Sequence, residues 1–299
     1  MKDPPPGRLS ALLLATFVTV LWSSSWVLIK VGLAAKLPPI SFAGLRYGLA
    51  ALCLAPFALG AAPSRAALRA APRPAAVSLA LLGLVYIAAA QGAQFAALAS
   101  LPAATVSVLL AMTPAVVAFA SAAARSEPPT PRQWAGLAAA VAGIALYFGR
   151  APLGVSGAAG LAAGLVSLAA NAGGSLLGRK VNREATVSSL QVTFVSIAVG
   201  SAVLLGAGVA LEGFPALDLR SAAVVAWLAV VNTAFAFTLW NRSLRTLTAF
   251  ESSVVNGLML PLVALLAVLL LGETLDARQV AGLVLVAAGT LVVQLPGAR

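Results

Sequence analysis

The sequence predicts an all-α integral membrane protein of ten spanning helices, built as two inverted copies of five. Three observations predict this: repeated uncharged apolar runs of about 20 residues, a duplicated pattern at a fixed spacing, and an uneven distribution of Lys and Arg. Of the 299 residues, 61% are hydrophobic and only 9% charged, against about 25% charged in a soluble domain. The mean hydropathy is +1.00. Each run is long enough to cross a hydrocarbon core as one helix. A membrane β-barrel would alternate polar and apolar residues over about ten positions, whereas 262–271 are apolar on every face.

The spans are expected at about 10–33, 40–60, 75–98, 102–123, 132–149, 155–178, 187–211, 221–241, 250–271 and 277–295. The first follows Lys2 and Arg8 and continues through Trp22 and Trp26 to Ile29, too long for a signal peptide. It reads as an uncleaved spanning helix. The short connections leave no room for a soluble domain. Helix-start chemistry marks three of the breaks. Thr130-Pro131-Arg132-Gln133 and Asp276-Ala277-Arg278-Gln279 are capping boxes, and Thr248-Ala249-Phe250-Glu251 is a third. Glu127, Glu251, Glu273 and Asp276 are therefore expected at helix ends. Gly154-Val155-Ser156-Gly157 reads as a turn.

The duplication is carried by specific residues. Met112-Thr113-Pro114 returns as Met259-Leu260-Pro261, 147 positions later. Glu127, Arg132, Gln133, Gly136 and Gly143 return as Glu273, Arg278, Gln279, Gly282 and Gly289, each after 146. The halves are 1–150 and 151–299. With the first residue inside, inner segments hold 13 Lys and Arg and outer segments 5, with Arg46 inside a span. Positive charge stays on the cytoplasmic side, so both ends are expected there. Five helices per half is an odd number, so the second half enters the bilayer from the opposite side. Inverted halves are the structural basis of alternating access around a midplane site.

Several function classes lose support on composition. The net charge of +11 is dispersed between apolar runs, so no nucleic-acid stripe forms. There is no histidine and one cysteine, Cys53, so no metal site, disulfide or base–nucleophile set is expected, and no enzyme. No phosphate-cradling G-x-x-x-x-G-K-[ST] loop occurs, so no nucleotide is expected. The partners are a small-molecule substrate and the lipid bilayer, with no nucleic acid and no cofactor. The residues set no oligomeric state, and a monomer is compatible with them.

Polar and aromatic residues inside the apolar runs are the candidate site. Trp22, Ser24 and Trp26 lie mid-depth in the first span. Tyr86, Gln91 and Gln94 lie in the third, with Gln91 and Gln94 on one face. Asn171 and Ser175 belong to a polar stripe with Ser167 in the sixth span. Asn232, Phe235 and Trp240 lie in the eighth, and Asn256 in the ninth. Aromatic faces with a few fixed polar anchors suit a mostly apolar pocket, although small and polar residues also pack spanning helices together. Pro114 and Pro261 each remove a backbone hydrogen bond mid-helix, as a static kink or as a hinge. Lys30 and Lys180, 150 positions apart, sit at opposite ends of equivalent helices as gates or as snorkelling anchors. Arg46 has three roles open to it: reaching outward, pairing with carbonyls at the end of the first helix, or attracting an anionic substrate group.

The chain resembles the drug/metabolite transporter superfamily, in its EamA-type members. The likeness rests on Trp22 to Lys30, on Arg46, and on the Pro114–Glu127–Gln133-Trp134–Gly136–Gly143 pattern that returns from Pro261 to Gly289. Among those members it is most similar to the YddG-type exporters of aromatic and other neutral amino acids. The resemblance implies a basket-like bundle with a central cavity lined by helices one, three, four, six, eight and nine. The expected function is export of small metabolites from bacteria across the inner membrane, amino acids first, by facilitated diffusion. The small four-helix multidrug relatives carry a proton-exchanging glutamate in their first helix, where this chain has serines and tryptophans. Efflux of cationic drugs by proton antiport, and a membrane enzyme or scaffold, remain the alternative readings.

Overall fold

A computed structural model describes residues 4–101, 103–149, 157–184, 186–263, 265 and 275–295. Every regular element among the described residues is helical. The apolar rods are α1 (Arg8–Ala34), α2 (Pro39–Leu59), α3 (Arg73–Ser100), α4 (Ala103–Ala111 and Thr113–Ala123), α5 (Pro131–Phe148), α6 (Ala158–Glu184), α7 (Ser189–Glu212), α8 (Leu219–Ser243), α9 (Ala249–Val263) and α10 (Ala277–Gln294). A short exposed helix, Ala62–Arg69, joins α2 to α3. Eight rods are long and apolar enough to cross a membrane, so the chain is a multi-pass membrane protein. The other two, α5 and α9, lie where the sequence reads its fifth and ninth spans. The rest of the ninth span, 266–271, lies outside the described residues, as do Lys2, Pro102, Arg150, Glu273, Arg299 and the 154–156 turn.

The helix ends obey the local chemistry. All three expected capping boxes form, and Ser188 with Gln191 makes a fourth at the start of α7. Each pairs two end groups that would otherwise lack partners in an apolar medium.

The helices hold together through close approaches of small residues. A Cβ on Gly143 would lie 2.6 Å from the Gly282 carbonyl oxygen, and one on Gly136 would lie 2.7 Å from that of Gly289. The pairs cross over, 143 with 282 and 136 with 289, so α5 and α10 run antiparallel with backbones in contact. Likewise Gly44 meets Leu205 and Gly208 meets Ser41, which sets α2 against α7. Without a hydrophobic drive between helices in lipid, such backbone proximity carries much of the packing.

Two helices depart from α geometry at corresponding places. In α3, Gly83–Ala89 is a π-helix, and in α8 so is Val230–Phe235. At their ends Ala90 N reaches Val85 O and Ala236 N reaches Val231 O, each five residues back. Two further breaks precede the prolines. Met112 interrupts α4 with ψ −6°, and Leu258 interrupts α9 with ψ −9°. Met112 N and Leu258 N bond three residues back, to Leu109 O and Val255 O. Each proline lacks the N–H that would continue the ladder, and its ring clashes with the preceding turn.

Candidate functional site: a cavity walled by aromatics, amides and one arginine

The interior of the bundle holds about 910 Å³ of empty space, counting the part open to the outside. Its wall comes from α1, α2, α3, α4, α6, α8 and α9. Trp22, Trp26, Tyr47, Tyr86 and Phe237 supply the aromatic faces. Ring contacts connect four of these through Phe237: Trp22 to Phe237 is 4.9 Å between centroids, Tyr47 to Phe237 is 6.0 Å and Tyr86 to Phe237 is 5.8 Å. Tilted and edge-on arrangements of this kind are the favourable ones for aromatic pairs. Gln91, Gln94, Asn171, Asn256 and the hydroxyls of Ser25, Ser107, Thr113 and Ser253 provide the polar groups.

Among the described residues Arg46 is the one charged side chain of this wall, and the residue itself is 2% exposed. Its position follows from the π segment of α8. Arg46 Nε donates to Thr233 Oγ1 at 2.8 Å and Nη2 donates to Asn232 O at 3.4 Å. Trp22 Nε1 donates to the same Asn232 carbonyl at 3.0 Å. One carbonyl in a π turn thus collects donors from α1 and α2. The guanidinium also lies 5.1 Å from the centroid of the neighbouring Tyr47 ring, within cation–π range. Of the three roles open to Arg46 in the sequence, pairing with carbonyls at the end of the first helix is not what forms. Its acceptors belong to α8.

Of the expected site residues, Trp22, Trp26, Tyr86, Gln91, Gln94, Asn171 and Asn256 meet at this cavity. The remaining ones lie off its wall. Ser24 donates to Leu21 O and accepts from Asn232 Nδ2. Ser175 donates to Asn171 O. Asn232, fully buried, spends its amide nitrogen on Leu21 O and Ser24. Trp240 is buried behind Trp22 at 4.9 Å and supports that ring from the far side. Phe235 faces outward, 50% exposed, against Phe17. Tyr47 and Phe237 are wall residues that the sequence reading passed over. Adjacency to the in-span Arg46 is the signal that could have found Tyr47.

The gate candidates separate similarly. Pro114 is buried on the cavity wall, whereas Pro261 is half-buried between the wall residues Leu260 and Val263. Lys30 donates to Leu98 O at 2.9 Å, tying α1 to the end of α3. Lys180 is exposed on a second hollow, between α4, α6 and α9, which Glu127, Arg179 and Arg183 also line. Glu127 has φ 52°, a left-handed conformation unusual for a side chain of its size. Burial pushes its carboxyl upward, but hydrogen bonds and charge from Arg179 and Arg183 outweigh that and hold it below the usual carboxylate range. Arg179 Nη2 lies 2.8 Å from Glu127 Oε1.

This end of the bundle is tied shut. Arg8 Nη2 meets Glu251 Oε1 at 2.7 Å and also reaches Gln294 O. Thr246 Oγ1 donates to Pro6 O at 2.6 Å. Asn182 Nδ2 donates to Asn241 Oδ1 at 2.7 Å, and Asn241 Nδ2 passes the chain on to Thr193 Oγ1. The starts of α1, α7 and α9 and the ends of α4, α6, α8 and α10 therefore close together. The cavity lies on the other side of this seal. Among the described residues, no three of His, Cys, Asp and Glu gather as a metal site would need.

Comparison with known proteins agrees with this architecture. The model of the EamA-like transporter family matches residues 9–149 and again 158–295. A probable amino-acid metabolite efflux pump of Salmonella typhimurium is 28% identical over 294 residues, covering 93% of each chain. A protein of known crystal structure superposes with a TM-score of 0.76 at 22% identity, over 96% of this chain and 98% of its own, a likeness of fold alone.

Proposed function

The chain belongs to the EamA-like transporter family, and from that premise we propose that it exports small organic metabolites, amino acids including aromatic ones first, across the bacterial inner membrane. The observation that carries this reading is the central cavity: aromatic rings for an apolar side chain, amides and hydroxyls for polar ends. The printed name of the Salmonella typhimurium relative, an efflux pump for amino-acid metabolites, points the same way.

The mechanism is alternating access of two inverted five-helix halves, 1–150 and 151–299. Three features support inversion. The crossed glycine pairs of α5 and α10 exchange under the same two-fold operation that relates the duplicated sequence. The π segments begin 147 positions apart. The breaks before Pro114 and Pro261 fall at matching points, where they serve as hinges. The tied end faces the cytoplasm, following the 13 to 5 excess of Lys and Arg. Transport is facilitated by the substrate's own gradient. Among the described residues the cavity's one charge is positive, which disfavours the alternative of cationic drug efflux by proton antiport.

Purified protein in liposomes, preloaded with one unlabelled amino acid at a time, is expected to accumulate the labelled form without an imposed pH gradient. Absence of such exchange for every amino acid would sink the substrate class. A requirement for a proton gradient would sink the facilitator mechanism. Asn171→Ala should slow exchange while leaving the folded yield intact.

A further inference from the structure

We infer that Arg46 is the carboxylate anchor of the central cavity, and that the cavity takes a zwitterion, with its carboxylate at Arg46 and its ammonium at the side-chain carbonyl oxygens of Asn171 and Asn256. This rests on the transport reading and specifies which substrates that site selects.

Among the described residues no carboxylate pairs with Arg46. A cation inside a spanning segment is costly unless it is paired or functional. Of its five N–H donors, only Nε and Nη2 find acceptors among the described residues. Both acceptors are neutral, so the charge itself stays uncompensated. A guanidinium held at one edge, with its other edge free, can receive a carboxylate through two parallel hydrogen bonds. Its neighbours are set up to help. Tyr47 donates its hydroxyl to Gln91 Oε1 at 2.8 Å, which leaves the Gln91 amide nitrogen to donate. The α2–α3 side of the cavity is therefore a donor face.

Asn171 and Asn256 present acceptors to the same cavity. Asn171 spends its amide nitrogen on Ser167 O at 2.9 Å and on Ser167 Oγ at 3.2 Å, leaving its carbonyl oxygen to the cavity. Asn256 also lines the cavity, and its Oδ1 is buried with no hydrogen-bond partner. A buried acceptor left unpaired costs about 1–3 kcal/mol, and an ammonium group is the donor that would satisfy it. Donors at Arg46 and Gln91 and acceptors at Asn171 and Asn256 match the two ends of an amino acid, and the aromatic rings of the same cavity suit its side chain.

The test is counterflow of labelled phenylalanine into liposomes preloaded with phenylalanine. Unlabelled phenylalanine, phenylalaninamide and phenethylamine serve as competitors; the last two lack the carboxylate. The wild type should be competed at least about tenfold more weakly by the two carboxylate-free compounds. Arg46→Gln should bring the three within about threefold of each other, and Arg46→Lys should fall between. Equal competition by phenylalaninamide and phenylalanine in the wild type overturns the anchor, with no variant needed should Arg46→Gln fail to fold. A wild-type preference that persists unchanged in Arg46→Gln overturns it as well. No counterflow of any amino acid by the wild type overturns the transport reading together with the anchor, and is thereby distinct from the first two results.

Discussion

The two ends of the bundle are held by different forces. At the end where α1 starts and α10 finishes, charged and hydrogen-bonded side chains from most of the helices lock together: Arg8 with Glu251, Arg179 and Arg183 with Glu127, Asn182 with Asn241. At the opposite end the ties run largely to backbone. Lys30 reaches Leu98 O, and Glu212 accepts from the Ile40 and Ser41 amides at the start of α2. The ion pair seen there, Arg278 with Asp276, lies within one helix start and is half exposed, so it links no two helices. The closed end is thus a clasp of side chains paired with side chains, whereas the far-end ties run from a side chain to the backbone of a neighbouring helix. Side-chain pairs between moving parts are the bonds that a rocking motion has to break.

That contrast can be broken at the clasp. Glu251→Gln with Glu127→Gln removes both carboxylates and keeps the α9 capping box, which accepts Gln as well as Glu. Each charge-assisted bond lost is expected to free about 1–2 kcal/mol, enough together for a tenfold or greater shift toward opening at that end. Two thiol reporters in a Cys53→Ser background would read it. Labelling should rise at Ser121→Cys, buried behind the clasp, and fall at Ser107→Cys on the cavity wall. Unchanged labelling at both would show that the clasp does not hold the conformation.

A smaller effect is expected from the two breaks. Pro114→Ala with Pro261→Ala restores the missing N–H in both helices, so the same two reporters should exchange reactivity about threefold more slowly as the helices stiffen. Identical rates would make the prolines packing elements only. The smallest effect concerns pH. The Glu127 carboxyl lies lower in the folded protein than when free, so its pairing stabilises the clasp above the ordinary carboxylate value of about 4.3 and is lost as pH falls through the lowered one. The wild type should lose about 2–4 °C more of its melting temperature than Glu127→Gln on acidification across that window. A loss of equal size in both would remove Glu127 from the account.

Much of this molecule was legible in its residues because the bilayer punishes exceptions. Uncharged runs marked the rods, and Thr130, Thr248 and Asp276 marked starts because few other residues satisfy a helix end. A Trp, Gln or Asn inside such a run needs an interior partner or a cavity. Trp22, Trp26, Gln91 and Asn171 were found on that ground alone. The same ground could not separate cavity from contact. Ser24, Ser175 and Asn232 are spent on bonds between and within helices, and sequence spacing carries no sign of that. Phe235, a candidate site residue by sequence, points out, and Phe237, just past the π segment that ends at Phe235, reaches the cavity instead. Arg46 stood out as an in-span charge, yet its acceptors lie 187 and 186 positions away, beyond any local pattern.

The π segment of α3 also fixes something that side-chain chemistry does not. A π turn holds about one residue more than the α turn it replaces. Were the same seven residues, 83–89, to close as ordinary α-helix with none removed, all that follows would swing by about 100°. Gln91 and Gln94 would leave the cavity without either being altered, Tyr47 would lose its amide partner, and Ser167 would no longer find Ala90 O. Here the winding of the backbone, more than the side chains it carries, aims the amide face of the site.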